Sequence, residues 1–167
     1  MYDELTAVDI RKMQEEIDHR IRVLRPQLIE EVQITRGFGD LSENFEYKCA
    51  KQAKNRNESR IRYLERMIRT AKVIEVKAEE DAVSLFDKVI IYNEMVKKEM
   101  NIQIVTTLRQ DVLKGLVSKE SPVGKALMGH KVGDRVQVEV SPDMKYFVEI
   151  RSIEKGEDDA SMEISSY

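Results

Sequence analysis

The sequence predicts an α+β protein: an N-terminal antiparallel α-helical coiled-coil hairpin, then a compact antiparallel β domain with one short helix. Three observations predict it. Residues 8–36 place Ile10, Met13, Ile17, Ile21, Leu24, Leu28 and Val32 at steps of three or four, which is one helical stripe. Residues 42–74 repeat the pattern at Tyr47, Ala50, Lys54, Asn57, Ile61, Leu64, Ile68 and Ala71, in heptad-like alternation. Beyond about residue 77 the period changes, and β-branched and aromatic residues dominate four short runs.

In the first helix Pro26 is the irregular position, because it lacks a backbone donor and presses on the preceding turn. The residues alone allow either two helical pieces or one bent helix. The second helix is apolar from Ile61 onward but holds Lys54 and Asn57 nearer the turn, so the hairpin is best cored at its base. At 1.5 Å per residue, a helix of roughly 29 residues reaches about 43 Å, longer than a small domain is wide. The tip of such a hairpin projects.

The β runs are "DKVIIYN" (87–93), "NIQIVTTL" (101–108), "DRVQVEV" (134–140) and "KYFVEIRSIE" (145–154). Between them a helix starts at Pro122 and stops at Gly129. The predicted domains are 1–77, with an acidic tip at 37–46, and 78–155. Residues 156–167, "GEDDASMEISSY", read as a flexible acidic tail.

Composition narrows the function classes. Of 167 residues 35% are charged, and the net charge of −3 argues against a free-standing nucleic-acid binder. The charge is segmented, however. Residues 48–72 carry nine Lys or Arg against Glu58 and Glu65, whereas the chain after residue 75 is net acidic. One cysteine, Cys49, excludes an internal disulfide, and with only His19 and His130 besides there is no zinc spacing. No apolar run is long enough for a membrane span and the N-terminus lacks a signal-peptide core. The expectation is a soluble, cytoplasmic chain.

The stretch "RGFGDLSENFEYK" (36–48) departs from both flanking helices. One explanation is local: Asp40 as an N-cap and Glu43 as its capping-box partner, with Gly37 and Gly39 making the turn. The other is chemical. Carboxylates three apart at a helix start lie close enough to share an ion. Magnesium takes one or two protein carboxylates and completes its shell with water and phosphate oxygens. Such a tip makes a poor site alone and a good one beside another metal and a phosphodiester. A cap can hold the acids in place for that role, so the two explanations are compatible.

"GDLSENFEY" (39–47) resembles the G-D-L-x-E-N-x-E-Y signature of the bacterial Gre-type (GreA/GreB) transcript cleavage factors. "SKESPVGKALMGHKVGD" (118–134) is similar to that family's downstream Ser-Pro motif, and the resemblance covers residues 8–154. An Arg-Pro in the first hairpin helix is usual there, which implies a tolerated kink at Pro26. The resemblance also implies an FKBP-like C-terminal domain that docks on bacterial RNA polymerase, while the coil enters the secondary channel. The tip would stimulate the polymerase's own cleavage of the extruded 3′ end of nascent RNA in backtracked complexes. By this resemblance Asp40 and Glu43 are the catalytic carboxylates, acting in trans as ligands of a shared Mg2+ within the polymerase. None is expected on the isolated protein, which would be a monomer, an activator rather than an enzyme, and without a membrane partner.

Asn44, Glu46 and Tyr47 belong to the same motif, Tyr47 as the first seam residue. Lys51, Arg62, Arg66 and Arg69 lie near one helix face, and the resemblance assigns them to the extruded RNA. The local alternative is a solvated face paired with Glu30 and Glu31. Ser121, Pro122 and Gly124 mark the polymerase-docking region, or simply a capped helix start. Other functions remain open on the residues: a non-cleaving, inhibitory Gre homologue, which the intact tip disfavours; a peptidyl-prolyl isomerase, which the scarcity of aromatics after residue 75 disfavours; and a coiled-coil adaptor.

Overall fold

The computed structural model describes residues 3–40 and 42–166. The chain divides into two compact units, residues 10–71 and residues 3–9 together with 72 onward. The second unit therefore includes the N-terminal strand, which the expected boundary at residue 77 had assigned to the hairpin.

The hairpin unit is built from α1 (Ala7–His19), whose first turn lies in the other unit, α2 (Arg25–Arg36) and α3 (Phe45–Thr70). Between α1 and α2, Arg20–Leu24 forms a π-helical turn in which the Arg25 N–H returns to the Arg20 carbonyl. This resolves the irregularity at Pro26. The wide turn ends at Leu24, two residues before the proline, and α2 continues directly from it with Pro26 at its second position, where the hydrogen-bond ladder has just shifted.

Partners across the hairpin run in opposite directions. Arg60 pairs with Glu16, Asn57 with Arg20, and Asn44 with Thr35, so the helices are antiparallel. The apolar seam is buried at Ala50, Ile61, Leu64 and Met67. Its middle is polar. Asn57 accepts from Arg20 Nη1 at 3.0 Å and donates to the Arg20 carbonyl at 3.3 Å. Buried Arg60 forks onto both oxygens of Glu16 at 2.9 and 3.2 Å, and Arg20 adds a bond of 2.7 Å to the same carboxylate. Arg25 forks onto Glu58 at 2.7 and 2.9 Å. Satisfied polar groups of this kind fix register, since a slip would leave them unpaired. Burial opposes ionisation of Glu16, but the bonds from Arg60 and Arg20 outweigh it and hold the carboxyl below its ordinary range. Among the described residues, the carboxylates paired across the hairpin are Glu16 and Glu58, not the Glu30 and Glu31 of the local alternative.

The second unit carries a five-stranded sheet in the order β5-β4-β3-β7-β6. Its strands are β3 (Lys88–Asn93), β4 (Lys98–Val105), β5 (Leu116–Ser118), β6 (Arg135–Ser141) and β7 (Met144–Glu154). Buried residues alternate along them: Val89 and Ile91, Ile102 and Ile104, Val136 and Val138, Val148 and Ile150. That is the period of a sheet with one covered face. A bulge in β7 against Ile90/Ile91 leaves Arg151 outside the ladder. The sheet is mixed rather than wholly antiparallel, because β5 runs parallel to β4. At three residues with a weak pattern, β5 is too short to read from sequence. α4 (Pro122–Leu127) packs on β6 and buries Leu127. A second, two-stranded parallel sheet joins β1 (Glu4–Leu5) to β2 (Lys72–Val73) and buries Leu5 completely.

The tail, expected to be flexible over residues 156–167, makes hydrogen bonds to the β domain at Gly156, Asp158 and Ser165. Gly156 N donates to Asp87 Oδ1 at 3.1 Å, and any Cβ at Gly156 would stand 1.9 Å from the Phe86 carbonyl oxygen. Buried Arg109 donates to Asp158 Oδ1 at 2.5 Å and to the Asp159 carbonyl at 3.3 Å, while Ser165 N reaches the Leu108 carbonyl at 2.7 Å. A buried guanidinium needs carboxylates, and the tail supplies one of them.

Candidate functional site at the hairpin tip

The turn between α2 and α3 is set by two side chains. Asp40 Oδ1 accepts from both Ser42 N and Ser42 Oγ, each at 3.0 Å, forming an Asx turn. Those bonds, the backbone one first, hold the Asp40 carboxyl below its ordinary range, so it stays ionised. Asn44, with extended backbone, is the N-cap of α3. Its Oδ1 accepts from Tyr47 N at 3.0 Å and its Nδ2 donates to the Thr35 carbonyl at 2.7 Å.

This corrects the local explanation of the acids. Asp40 does not cap α3, and Glu43 is not the partner three residues into the helix. Asn44 takes the cap because it offers both an acceptor for the new helix and a donor for the last turn of α2, which Asp cannot do. Asp40 and Glu43 thus stand outside the helix on an exposed turn, where Glu43 N donates to the Asp40 carbonyl at 3.3 Å. Their shared environment is an open concavity of about 460 Å³, lined by Phe38, Asp40, Glu43, Asn44, Phe45 and Glu46. Glu46 sits in the first turn of α3, where negative charge complements the helix dipole.

Tyr47 is half-buried, and the Arg36 guanidinium lies 6.0 Å from its ring centroid, so it joins α2 to α3 as a packing residue. Cys49 is exposed and free.

The hard oxygen donors of Asp40 and Glu43 fit magnesium in kind. Asp40 Oδ2 is uncommitted in the hydrogen bonds of the turn, and the concavity leaves room for water and a phosphate. Among the described residues, no three His, Cys, Asp or Glu side chains are grouped to hold a metal. Two carboxylates could supply at most part of a coordination shell.

Lys51, Arg62, Arg66 and Arg69 are all exposed along α3. Arg62 donates to Ser59 Oγ at 3.2 Å, and Arg66 lies 5.7 Å from the Tyr63 ring centroid. Arg60, of the same basic run, is instead buried on Glu16. In the other unit Ser121 caps α4, accepting from Gly124 N at 3.0 Å and donating to the Ser118 carbonyl at 2.6 Å. Pro122 is exposed. Gly124 is buried so tightly that a Cβ would stand 2.2 Å from the Ser118 oxygen, so it shapes the turn rather than offering a surface.

Sequence reasoning missed three features of the site: the Asp40–Ser42 turn, the Asn44 cap, and the exposure of Phe38 and Phe45. The first two had a legible signal, since Asp-x-Ser suits an Asx turn and Asn ranks with Asp at caps.

Residues 4–73 match the family described as "Transcription elongation factor, N-terminal", and residues 77–155 match "Transcription elongation factor, GreA/GreB, C-term". "Transcription elongation factor GreA" of Mesoplasma florum is 39% identical over 150 residues, covering 89% of this chain and 96% of that protein. The protein of the same name from Thermoanaerobacter pseudethanolicus is 42% identical over 137 residues, covering 81% and 87%. Among solved structures, the GreA factor homolog 1 (Gfh1) protein of Thermus thermophilus is 25% identical, covers 93% of this chain and 100% of that one, and superposes with a TM-score of 0.42. Both family models match, in order and over most of the chain, and the chain belongs to the GreA/GreB family of transcription elongation factors.

Proposed function

We propose that the protein enters the secondary channel of bacterial RNA polymerase tip-first and stimulates cleavage of the extruded RNA 3′ end in backtracked complexes. The observation that carries this reading is the tip itself. An ionised Asp40, pinned by Ser42, shares an open concavity with Glu43 at the turn end of a hairpin whose second helix spans Phe45–Thr70. At 1.5 Å per residue that helix is about 39 Å long, enough to carry a tip into a deep channel.

In this reading the ion is shared with the polymerase. Asp40 and Glu43 contribute carboxylate oxygens, and the remaining ligands come from the polymerase, the RNA phosphate and water. When bound, magnesium would supply Lewis-acid stabilisation at the phosphodiester and lower the pKa of its water. The part played by this chain is placement: Ser42 fixes the Asp40 carboxylate, and Asn44 fixes the turn to both helices. The chain is then an activator of the polymerase's own hydrolysis rather than a nuclease. Exposed Lys51, Arg62, Arg66 and Arg69 would face the RNA through sequence-independent phosphate contacts. The β domain would dock on the polymerase near Ser121 and Pro122.

The test is RNA cleavage in a purified, stalled polymerase complex with and without the protein. Stimulation by the parent and its loss in Asp40→Asn with Glu43→Gln supports the reading. Equal stimulation by parent and variant refutes the metal assignment, and RNA cleavage without polymerase refutes the activator role.

A further inference from the structure

The four phenylalanines of the chain divide into two pairs. Phe86 is fully buried with the Arg109 guanidinium 4.8 Å from its ring centroid, and half-buried Phe147 lies 3.7 Å from Arg135. Phe38 and Phe45 are 60% and 75% exposed, and among the described residues neither ring has an aromatic or cationic partner. One exposed apolar side chain is ordinary. Two exposed aromatic rings lining one concavity with Asp40, Glu43 and Glu46 are a different arrangement. Nor does the fold require them. Phe45 opens α3 at a position where many residues serve, and Phe38 lies in the turn after α2.

We propose that Phe38 and Phe45 form an aromatic platform that stacks on the base of the unpaired 3′-terminal RNA nucleotide; this rests on the cleavage reading above. The rim chemistry selects the occupant. An apolar protein surface seated here would strip water from the flanking carboxylates without giving them partners, which is costly. A nucleotide presents two chemistries at once. Its base has an uncharged π face for the rings and N–H donors at its edge for carboxylates, while its phosphate lies beside the shared ion. Stacking on aromatic rings is tolerant of base identity, which suits a factor acting on whatever RNA has been extruded.

The experiment uses the full-length protein on stalled, backtracked polymerase complexes. Phe38→Leu with Phe45→Leu keeps apolar bulk and removes the rings, and thermal melting confirms that it folds as the parent does. Two RNAs are compared, one with an ordinary 3′-terminal nucleotide and one whose terminal nucleotide lacks its base. The expected result is a loss of cleavage stimulation of roughly tenfold on the ordinary RNA, no further loss on the abasic RNA, and rescue by Phe→Tyr at both positions. A second readout is independent of cleavage. With 2-aminopurine at the RNA 3′ end and Asp40→Asn blocking hydrolysis, intact rings should quench its fluorescence and the leucine variant should not. Equal losses on both RNAs would mean that the rings contact the polymerase and would overturn the proposal, as would an unaffected leucine variant. If the parent itself fails to stimulate cleavage, the underlying reading falls and takes the platform with it.

Discussion

The side-chain amide of Asn44 donates to the Thr35 carbonyl at 2.7 Å while its oxygen accepts from Tyr47 N at 3.0 Å, so one residue ends α2 and begins α3. The orientation of the amide follows from its partners: a backbone N–H can meet only the oxygen, and a carbonyl can meet only the nitrogen. The turn that carries the acids hangs from this side chain.

Asn44→Asp separates the two halves of that role. Aspartate keeps the cap but points an anionic oxygen at the Thr35 carbonyl. The variant should lose roughly 1 kcal/mol, the scale of a net hydrogen bond, by chemical denaturation. It should also lose cleavage stimulation more steeply than stability, because the acids are no longer held. A variant with full stimulation would show that the tether to Thr35 is dispensable.

Asp40→Asn can still accept from Ser42, so the Asx turn survives, but it is no longer an anionic ligand. Glu43→Gln changes charge on the same exposed turn. Both variants should melt like the parent, bind polymerase, and lose most stimulation. Raised magnesium should partly restore each single variant but not the double. Fluorescence anisotropy of labelled protein on polymerase separates lost binding from lost cleavage.

The basic face makes a prediction about salt. Replacing Arg62, Arg66 and Arg69 with Ala should leave helicity unchanged, since all three are exposed. Screening already weakens phosphate contacts at high salt, so the deficit in RNA engagement should be greatest at low salt. The logarithmic salt slope should become shallower by about 2 for three contacts to single-stranded RNA. An unchanged slope would place these residues away from the RNA.

Acid should loosen the hairpin through Glu16. Its folded-state pKa lies below its ordinary 4.5 because the bonds from Arg60 and Arg20 outweigh the cost of burial. A depressed carboxyl contributes stability that is fully present above the unfolded value and lost as pH falls through the folded one. Melting temperature should therefore fall as pH drops below about 4.5, and Glu16→Gln should flatten that dependence while lowering stability at neutral pH. Circular dichroism melts across pH 3–7 would measure both.

Arg109 gives the largest expected stability loss. Its Nε donates to fully buried Asp9 at 2.6 Å and its Nη2 to Asp158, tying both ends of the chain to the β domain. Arg109→Met leaves a buried carboxylate uncompensated, at a cost of roughly 3–5 kcal/mol. Asp158→Asn should be milder and should expose the tail to protease. A tail equally resistant in that variant would show that Gly156 and Ser165 hold it unaided.

The sequence alone determined the two-helix hairpin, the places of β3, β4, β6 and β7, the capped start of α4, and the tip motif. Each is written in local periodicity or short-range turn chemistry, which the chain obeys before any distant part arrives. It also placed a conflict at Pro26 without resolving it, because only the formed helix shows that a π turn absorbs the missing donor. What the tertiary structure decided depends on residues far apart. Asn44 becomes the cap because Thr35 stands opposite. Arg60 leaves the basic face because Glu16 meets it across the hairpin. β5 is a strand only because β4 offers an edge to three residues with no pattern of their own. The tail, polar enough to read as loose, meets the β domain because a guanidinium buried one hundred residues from Asp9 takes a second carboxylate from it. Periodicity reports which face of an element is apolar; it carries no record of which distant charge will need a partner.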